Sequence, residues 1–320
     1  MVTLLAMSMA SVYADDGRYT RTAMLEQGDS IQLFYGQDAF QQAYTAAADS
    51  GAVITLSKGE FLSGNFHLGK SIKIIGHYGF SSDPTEATVF AYPVGVGANN
   101  ITLDGIYFKN GLQVYEVKDF TAVHAWIEKF YGSYPYHSNT TIDQCVVKNF
   151  NEFIINGENL KITNSTLSQT GDYNSKERNT NAAYIKNCLL YCHDSRYLCY
   201  AMYENNIFVA TYYDNNCTYY LHYPSIYLHN HFFKCSSLDW GENNRHEGNV
   251  AYDHRNVLPI QTYPAYPINA PLGSDGTPVG PLGGSGFTDH PNIPRVKSQS
   301  IGLKPDAEGK INVKITVSAE

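Results

Sequence analysis

Lys161–Leu167, with the sequence KITNSTL, carries the pattern that decides the fold of this 320-residue chain. Two apolar or β-branched residues precede Asn164, a small polar residue follows it, and a second apolar stretch comes next. Variants of the pattern recur about every 20 residues, a spacing typical of stacked repeats. They read ITLDGIYF, TIDQCVV, YIKNCLL, YENNIF, YLHNHFF and HEGNVAY, and the central residues of the whole series are Asp104, Asp143, Asn164, Asn187, Asn205, Asn230 and Asn249.

Short strands with this period predict a parallel β-helix, since a propeller blade is longer and the Leu spacing of leucine-rich repeats is missing. Asn and Asp favour bends because they tolerate a left-handed backbone and bond to nearby backbone groups. We therefore expect the seven central residues to stack as a structural ladder. The predicted fold class is all-β, a single-stranded right-handed parallel β-helix with an N-terminal capping helix and an irregular C-terminal cap.

Both ends of the repeat region carry sequence that closes a solenoid. Residues 38–48 have apolar residues at helical spacing before Gly51, which predicts the capping helix and its stop. Residues 52–79 then read as strands separated by turns at 58–59 and 69–70. From residue 259 Pro and Gly become dense, and residues 311–317 alternate as a final edge strand or hairpin. The predicted organisation is a signal peptide (1–14), a β-helix with its N-terminal cap (15–258) and a C-terminal capping segment with a terminal strand (259–320).

Two of these segments resemble a known superfamily. The capping helix followed by the first coil resembles the opening of the pectate-lyase-like right-handed parallel β-helix proteins. PLGSDGTPVGPLGG, residues 271–284, resembles the DGT-x-x-G-x-x-GG segment found after the last coil of many bacterial β-helix surface proteins, and residues 286–320 resemble the tail of uncharacterised members. The resemblance covers residues 38–320. It implies the fold, whereas the superfamily includes lyases, hydrolases, adhesins and proteins without known activity.

The first residues and the charge restrict location and partners. The apolar run from Val2 to Ala14 resembles the end of a signal peptide, which predicts a secreted or cell-surface protein, with the periplasm as an alternative. The formal net charge is −8, which argues against nucleic acid because phosphate binding needs a basic surface. No later stretch reaches the ~20 apolar residues of a membrane span. The six Cys residues are expected to be small buried thiols.

Tyrosine is unusually frequent, with 26 Tyr against 2 Trp, so many rings should lie on the outside of a thin-walled solenoid. Stacked aromatic rings would hold an extended polysaccharide, although Tyr also simply suits half-buried β surfaces. Tyr131, Tyr134 and Tyr136 belong to this aromatic series. The predicted substrate-binding residues are Tyr212, Tyr213, Tyr219, Tyr220, Tyr223 and His193.

No motif establishes catalysis. A polysaccharide lyase needs a Lys or Arg base and a cationic group that acidifies the proton it removes; the candidates are Lys176, Arg178 and Arg196, and calcium is the one cofactor to consider. The alternative is that these charges are solvated or form local ion pairs. A glycoside hydrolase needs paired carboxylates, and the adjacent pair Asp15–Asp16 lies outside the coils, so a lyase is the better enzyme hypothesis.

Three functions therefore remain open at the level of sequence. The first is a secreted or surface protein associated with extended polysaccharide without catalysis. The second is a lyase acting on an acidic glycan, and the third is a structural or adhesin-like surface protein.

Overall fold

The computed structural model describes residues 21–132, 137–151, 157–169, 183–192, 201–210, 217–220, 225–242, 244–252, 260–262, 265–267, 269–287, 295–301 and 313–318. These residues form a parallel β-helix, as the repeat predicts, together with one helix, α1 (Ala39–Ala46). Each coil runs through a strand of sheet A and a strand of sheet B, and the first five coils continue through a strand of sheet C.

Sheet A has twelve strands and extends along the whole solenoid. Its first two strands form an antiparallel hairpin, and the strands from β3 onward pair in parallel, each with its counterpart on the next coil. In spatial order from the N-terminal edge, the strands are β2 (Ser30–Tyr35), β1 (Thr22–Gln27), β3 (Ser50–Leu56), β6 (Ser71–Ile75), β9 (Thr102–Asp104), β12 (Thr121–Val123), β16 (Thr141–Asp143), β20 (Lys161–Thr163), β22 (Ala183–Lys186), β24 (Ala201–Glu204), β27 (Ile226–Leu228) and β30 (Arg245–Glu247).

Sheets B and C form the other walls, and their strands also pair in parallel. Sheet B consists of β4 (Gly59–Phe61), β7 (Thr88–Phe90), β10 (Tyr107–Phe108), β13 (Trp126–Ile127), β17 (Val146–Val147), β21 (Thr166–Gln169), β23 (Leu189–Cys192), β25 (Ile207–Ala210), β28 (His231–Phe233) and β31 (Val250–Tyr252). Sheet C consists of β5 (Phe66–Leu68), β8 (Val94–Val96), β11 (Leu112–Val114), β14 (Phe130–Gly132) and β18 (Phe150–Asn151).

Four two-stranded sheets complete the described structure. Two are parallel and two are antiparallel hairpins near the C-terminus. They pair β15 (His137–Ser138) with β19 (Gly157–Glu158), β26 (Cys217–Tyr220) with β29 (Cys235–Asp239), β32 (Ile260–Thr262) with β33 (Ala265–Pro267), and β34 (Arg295–Ile301) with β35 (Val313–Ser318). The last pair confirms that the terminal alternating sequence forms a strand in a hairpin.

The core fills the inside of the coils because successive strand residues alternate between the interior and the outside. Ile142 of β16, for example, is fully buried and aligns with Ala122 and Ile162 on the neighbouring coils. Towards the C-terminal end the stacked residues are aromatic. The rings of Tyr203 and Tyr227 stack with centroids 5.0 Å apart.

The N-terminal cap has two parts, of which the sequence predicted one. Helix α1 buries Phe40 at the end of the core, where its ring lies 5.0 Å from that of Phe90. Lys70 Nζ donates to the carbonyl of Ala47 at the end of the helix, a favourable place for a cation. The β1–β2 hairpin was not predicted; it pairs antiparallel with β3 and covers the N-terminal edge of sheet A. The helix ends at Ala46, before the predicted stop at Gly51.

The Gly-rich segment, residues 269–287, which we name the strap, does not lie where the sequence predicted. We expected it to close the solenoid after the last coil, and it folds back over the bend between sheets A and B instead. Asn164 Nδ2 donates to the carbonyls of Pro281 and Gly283, at 3.0 and 2.6 Å. Further along the strap, Val279 is buried against Leu189 and its neighbours on the outer side of sheet B. The strap therefore clamps adjacent coils from outside.

The seven predicted ladder residues all lie at this bend, but in three adjacent positions instead of one column. Asp104 and Asp143 end strands of sheet A. Asn164, Asn187 and Asn205 take the next position, where every residue has a positive φ; its other members are Gly105, His124, Gln144, His229 and Gly248. Asn230 and Asn249 come one residue later. The single-column prediction is wrong because Asn suits both of the last two positions.

A second polar column lies at the bend that leads into sheet A. Asn100, Asp119, Asn139 and Asn159 all have φ between 53° and 59°. Asn139 Nδ2 donates to Asp119 Oδ1, and Asn159 Nδ2 donates to Asn139 Oδ1, both at 3.1 Å. These residues are exposed, and the repeat pattern did not reveal them.

In the described part of the chain, no helix has both the length and the apolar composition of a membrane span.

Candidate functional site

Most of the predicted site residues lie outside the described residues, so their roles stay predictions. This holds for the three proposed lyase residues and for four of the six proposed substrate-binding residues. They are Lys176, Arg178, Arg196, His193, Tyr212, Tyr213 and Tyr223.

Tyr219 is the one predicted substrate-binding residue whose side chain the structure describes, and it belongs to the core. Only 1% of it is exposed, and its ring packs edge-on against that of Phe232 at 5.2 Å. Because the ring points inward from β26, it is not available to a polysaccharide, and its assignment to the binding surface is wrong. Tyr220 follows it in the strand, and its side chain lies outside the described part.

Among the described residues of the coils, the exposed tyrosines lie near sheet C instead. Tyr92, Tyr115 and Tyr131 are exposed by 42%, 37% and 38%. Tyr92 lies just before β8, Tyr115 just after β11, and Tyr131 within β14, so the three belong to consecutive coils. We name this side of the solenoid the sheet C face and define it by His67, Tyr92, Gln113, Tyr115 and Tyr131.

Glycines beneath the sheet C face let the rings approach the backbone. A Cβ atom on Gly97 would clash with the His67 ring, and one on Gly95 would lie 2.8 Å from Cε2 of Tyr115. The centroids of these two rings are 5.8 Å apart. The His67 and Tyr115 rings therefore pack side by side over the backbone of Gly95 and Gly97.

Polar groups fix and flank these rings. The Tyr115 hydroxyl donates to Gln113 Oε1 at 2.9 Å, which holds the ring beside β11. A Cβ atom on Gly111 would lie 3.3 Å from Lys129 Cβ and 3.7 Å from Tyr131 Cε2, so the exposed Lys129 stands next to the Tyr131 ring. The face thus combines half-exposed rings with hydrogen-bond donors and one cation.

The arrangement suits an extended ligand that crosses several coils. Parallel strands are spaced about 4.8 Å apart, but the three tyrosines take different positions along their coils. Tyr131 aligns with Gln113, Tyr115 lies two residues beyond Gln113, and Tyr92 lies two residues before β8, so the rings are staggered over the face and do not form a column. The face of an aromatic ring is electron-rich and attracts C–H groups, while a Tyr hydroxyl can also accept hydrogen bonds from polar groups. A ligand with C–H faces and hydroxyl edges matches this surface.

Several other charged groups of the described residues form ion pairs on the outside of sheets A and B. Glu204 accepts from Lys186 Nζ at 2.9 Å and from the Tyr184 hydroxyl at 2.7 Å. Partial burial raises the pKa of Glu204, but these two donors outweigh it and lower the pKa overall. His124 Nδ1 lies 2.8 Å from Asp104 Oδ1, with both side chains largely buried. Such satisfied pairs hold neighbouring coils together.

Cysteines at the described positions follow the prediction of small buried thiols. Cys145, Cys188 and Cys235 are free and buried, whereas the side chains of Cys192, Cys199 and Cys217 lie outside the described part. Across the described ranges, no three His, Cys, Asp or Glu residues are grouped as metal ligands.

No protein-family model matches the sequence, and comparison with curated proteins finds none that matches.

Proposed function

We propose that this protein binds an extended polysaccharide on its sheet C face. The observation that carries the proposal is the group of half-exposed rings, Tyr92, Tyr115 and Tyr131, on three consecutive coils. Tyr203, Tyr219 and Tyr227, by contrast, are buried in the core. Half-exposed rings on neighbouring coils support binding of an extended ligand, because they offer it several staggered stacking contacts on one face.

A chain of pyranose rings fits the chemistry of this face. The C–H groups of a sugar ring pack on the Tyr rings, and its hydroxyls exchange hydrogen bonds with the Tyr hydroxyls, Gln113 and His67. Lys129 beside Tyr131 adds a donor for a hydroxyl or carboxylate. Since the chain as a whole carries a net charge of −8, attraction of a polyanion by overall charge does not drive the binding.

We also propose that the protein belongs to the pectate-lyase-like β-helix superfamily and is exported. The order of α1 followed by the first coil supports the first proposal. The apolar run ending at Ala14 supports the second. Export would place the sheet C face where polysaccharides occur, as a secreted or surface-associated protein.

Retention in affinity electrophoresis through gels containing pectin, alginate or a glycosaminoglycan tests the binding. We expect Tyr115→Ala and Tyr131→Ala each to weaken binding of the retained polysaccharide by about tenfold, the equivalent of one lost ring contact. Tyr35→Ala is the matched control, because Tyr35 is exposed by 38% like Tyr131 but lies on the N-terminal hairpin. Equal losses in all three variants would contradict the assignment of the face.

The same polysaccharides separate binding from the two other functions. Binding without cleavage predicts no absorbance from unsaturated uronide, with or without calcium. A rise in absorbance would replace the proposal by a lyase, and Lys176→Ala, Arg178→Ala and Arg196→Ala would then identify the base. Retention by none of the polysaccharides would favour the structural or adhesin-like role.

A further inference from the structure

The C-terminal edge of sheet A offers a strand for pairing. Among the described strands, β30 (Arg245–Glu247) pairs only with β27, and no strand follows it in the sheet. All three of its residues are exposed, and so is Val250 in the neighbouring β31. At the opposite edge the β1–β2 hairpin covers β3. An exposed edge presents backbone donors and acceptors to another strand.

The side chains of β30 have a definite arrangement. Arg245 and Glu247 align with Ile226 and Leu228 of the preceding coil, on the outer side of sheet A. Between them, His246 stacks on Trp240 with ring centroids 4.3 Å apart and planes 9° apart. His246 is therefore the last ring of the aromatic stack, and the oppositely charged Arg245 and Glu247 flank it in the strand.

This arrangement is complementary to itself under a two-fold axis. In an antiparallel pair centred on His246, Arg245 of each copy stands opposite Glu247 of the other, and opposite charges across strands stabilise the pair. A parallel pair in the same register would place like charges opposite each other. Charged residues on an edge strand commonly prevent pairing with other strands. Here the positive Arg245 and the negative Glu247 favour pairing with a second copy of β30 in the antiparallel direction. We propose that two copies of this protein associate tail to tail through β30.

Pairing in this way would also cover the end of the core. His246 and the partly buried Trp240 lie at the last coil, and a second copy would remove both rings from water. The interface involves no residue of the sheet C face, so it does not depend on polysaccharide binding.

Sedimentation equilibrium of the full chain over a concentration series tests the proposal. We expect a monomer–dimer equilibrium for the wild type, and dissociation constants raised about tenfold or more by R245E and by E247R, since each turns two attractive pairs into two repulsive ones. The double variant R245E/E247R exchanges the two charges and should restore the wild-type constant. A merely structural role of either residue would not produce this recovery.

K73E is the matched control, because Lys73 is exposed on β6 near the other end of sheet A and its reversal changes the net charge as R245E does. Thermal unfolding of every variant separates lost association from lost folding, and the double variant still tests the pairing if one single variant melts early. A wild type that stays monomeric over the series overturns the proposal. So do single variants that associate as tightly as the wild type, or a K73E variant that dissociates as R245E does.

Discussion

Asn206 Nδ2 donates to Oδ1 of Asn230 on the next coil at 3.0 Å. Asn230 repeats the contact with Asn249, also at 3.0 Å. Each side chain also bonds to backbone: Asn230 Oδ1 accepts from the Asn206 N–H, and its Nδ2 donates to the carbonyl of Tyr203. Since Asn206 and Asn230 are fully buried, this ladder satisfies backbone groups that the bend removes from the sheets.

Asn230→Ala should destabilise the protein by about 3 kcal/mol. The substitution removes the acceptor of the buried Asn206 N–H, which costs about 1–3 kcal/mol when left unpaired. It also removes a donor to the Tyr203 carbonyl and the amide contacts with Asn206 and Asn249. The free energy of unfolding, measured by denaturant titration, checks the value.

The exposed column provides the control for this effect. Asn139 also donates to its neighbour and accepts from the next coil, but water can replace both partners. Asn139→Gly, which removes the amide without placing a Cβ atom in the left-handed conformation of this position (φ 53°), should therefore cost less than about 1 kcal/mol. Equal losses at Asn139 and Asn230 would show that burial does not set the energy of the ladder.

The sequence predicted the bend but not the register within it. Asn fits the left-handed position, as at Asn164, because its short side chain tolerates positive φ. It equally fits the following position, as at Asn230, because there the amide reaches the next coil. A shift of one residue separates the two roles, and the flanking apolar pattern is the same for both. The exposed column around Asn139 has weaker flanking hydrophobicity and left no comparable signal.

The strap should be sensitive to Gly283→Ala. A Cβ atom there would clash with the carbonyl oxygen of Pro278 and would lie 3.1 Å from Oδ1 of the buried Asn187. The strap would have to shift, and Val279 would leave its apolar contacts. We expect a lower melting temperature and faster proteolytic cleavage within residues 269–287, followed by mass spectrometry.

Gly276→Ala is the control within the same segment. Gly276 has φ of 75°, and nothing lies within 4 Å of the Cβ position. Its substitution costs only the backbone strain of a left-handed alanine, about 1–2 kcal/mol, without disturbing the contact with the coils. If both variants release the strap to the same extent, close packing against Asn187 is not what holds it.

The binding surface was harder to predict than the fold, because a strand residue faces inward or outward according to register. Tyr219 lies in a strand whose pairing with β29 shifts register between Cys217 and Thr218, so counting alternate residues from the sequence does not assign its face. At the sheet C face, the spacing of the glycines is the sequence feature that could have indicated the binding surface. Gly95 and Gly97 precede Tyr115 by one coil and leave room for its ring and for that of His67.

Cys145 and Cys188 should resist thiol reagents in the folded protein. They occupy the position taken by Asn206 on a later coil, and their Sγ atoms point to the carbonyls of Ala122 and Ile162. Burial raises the pKa of Cys188 to about 12 and that of Cys145 well above its ordinary value. Because the thiolate is the reactive form, peptide mapping after alkylation should find both unmodified until denaturant is added. Rapid labelling of either thiol in the native protein would contradict the burial of Cys145 and Cys188 at this position of the bend.

Stability should fall as the pH drops below about 6.5, the ordinary pKa of histidine, because of His231. Burial, followed by the nearby His229, lowers the pKa of His231 in the folded state, and its Nδ1 lies 2.9 Å from the Tyr252 hydroxyl. The unfolded chain then binds the proton more readily, so the contribution is complete above the unfolded pKa and is lost as pH falls towards the folded pKa. His231→Gln should reduce the difference between denaturant midpoints at about pH 7.5 and about pH 5.5. An equal pH dependence in wild type and His231→Gln would mean that another group carries it.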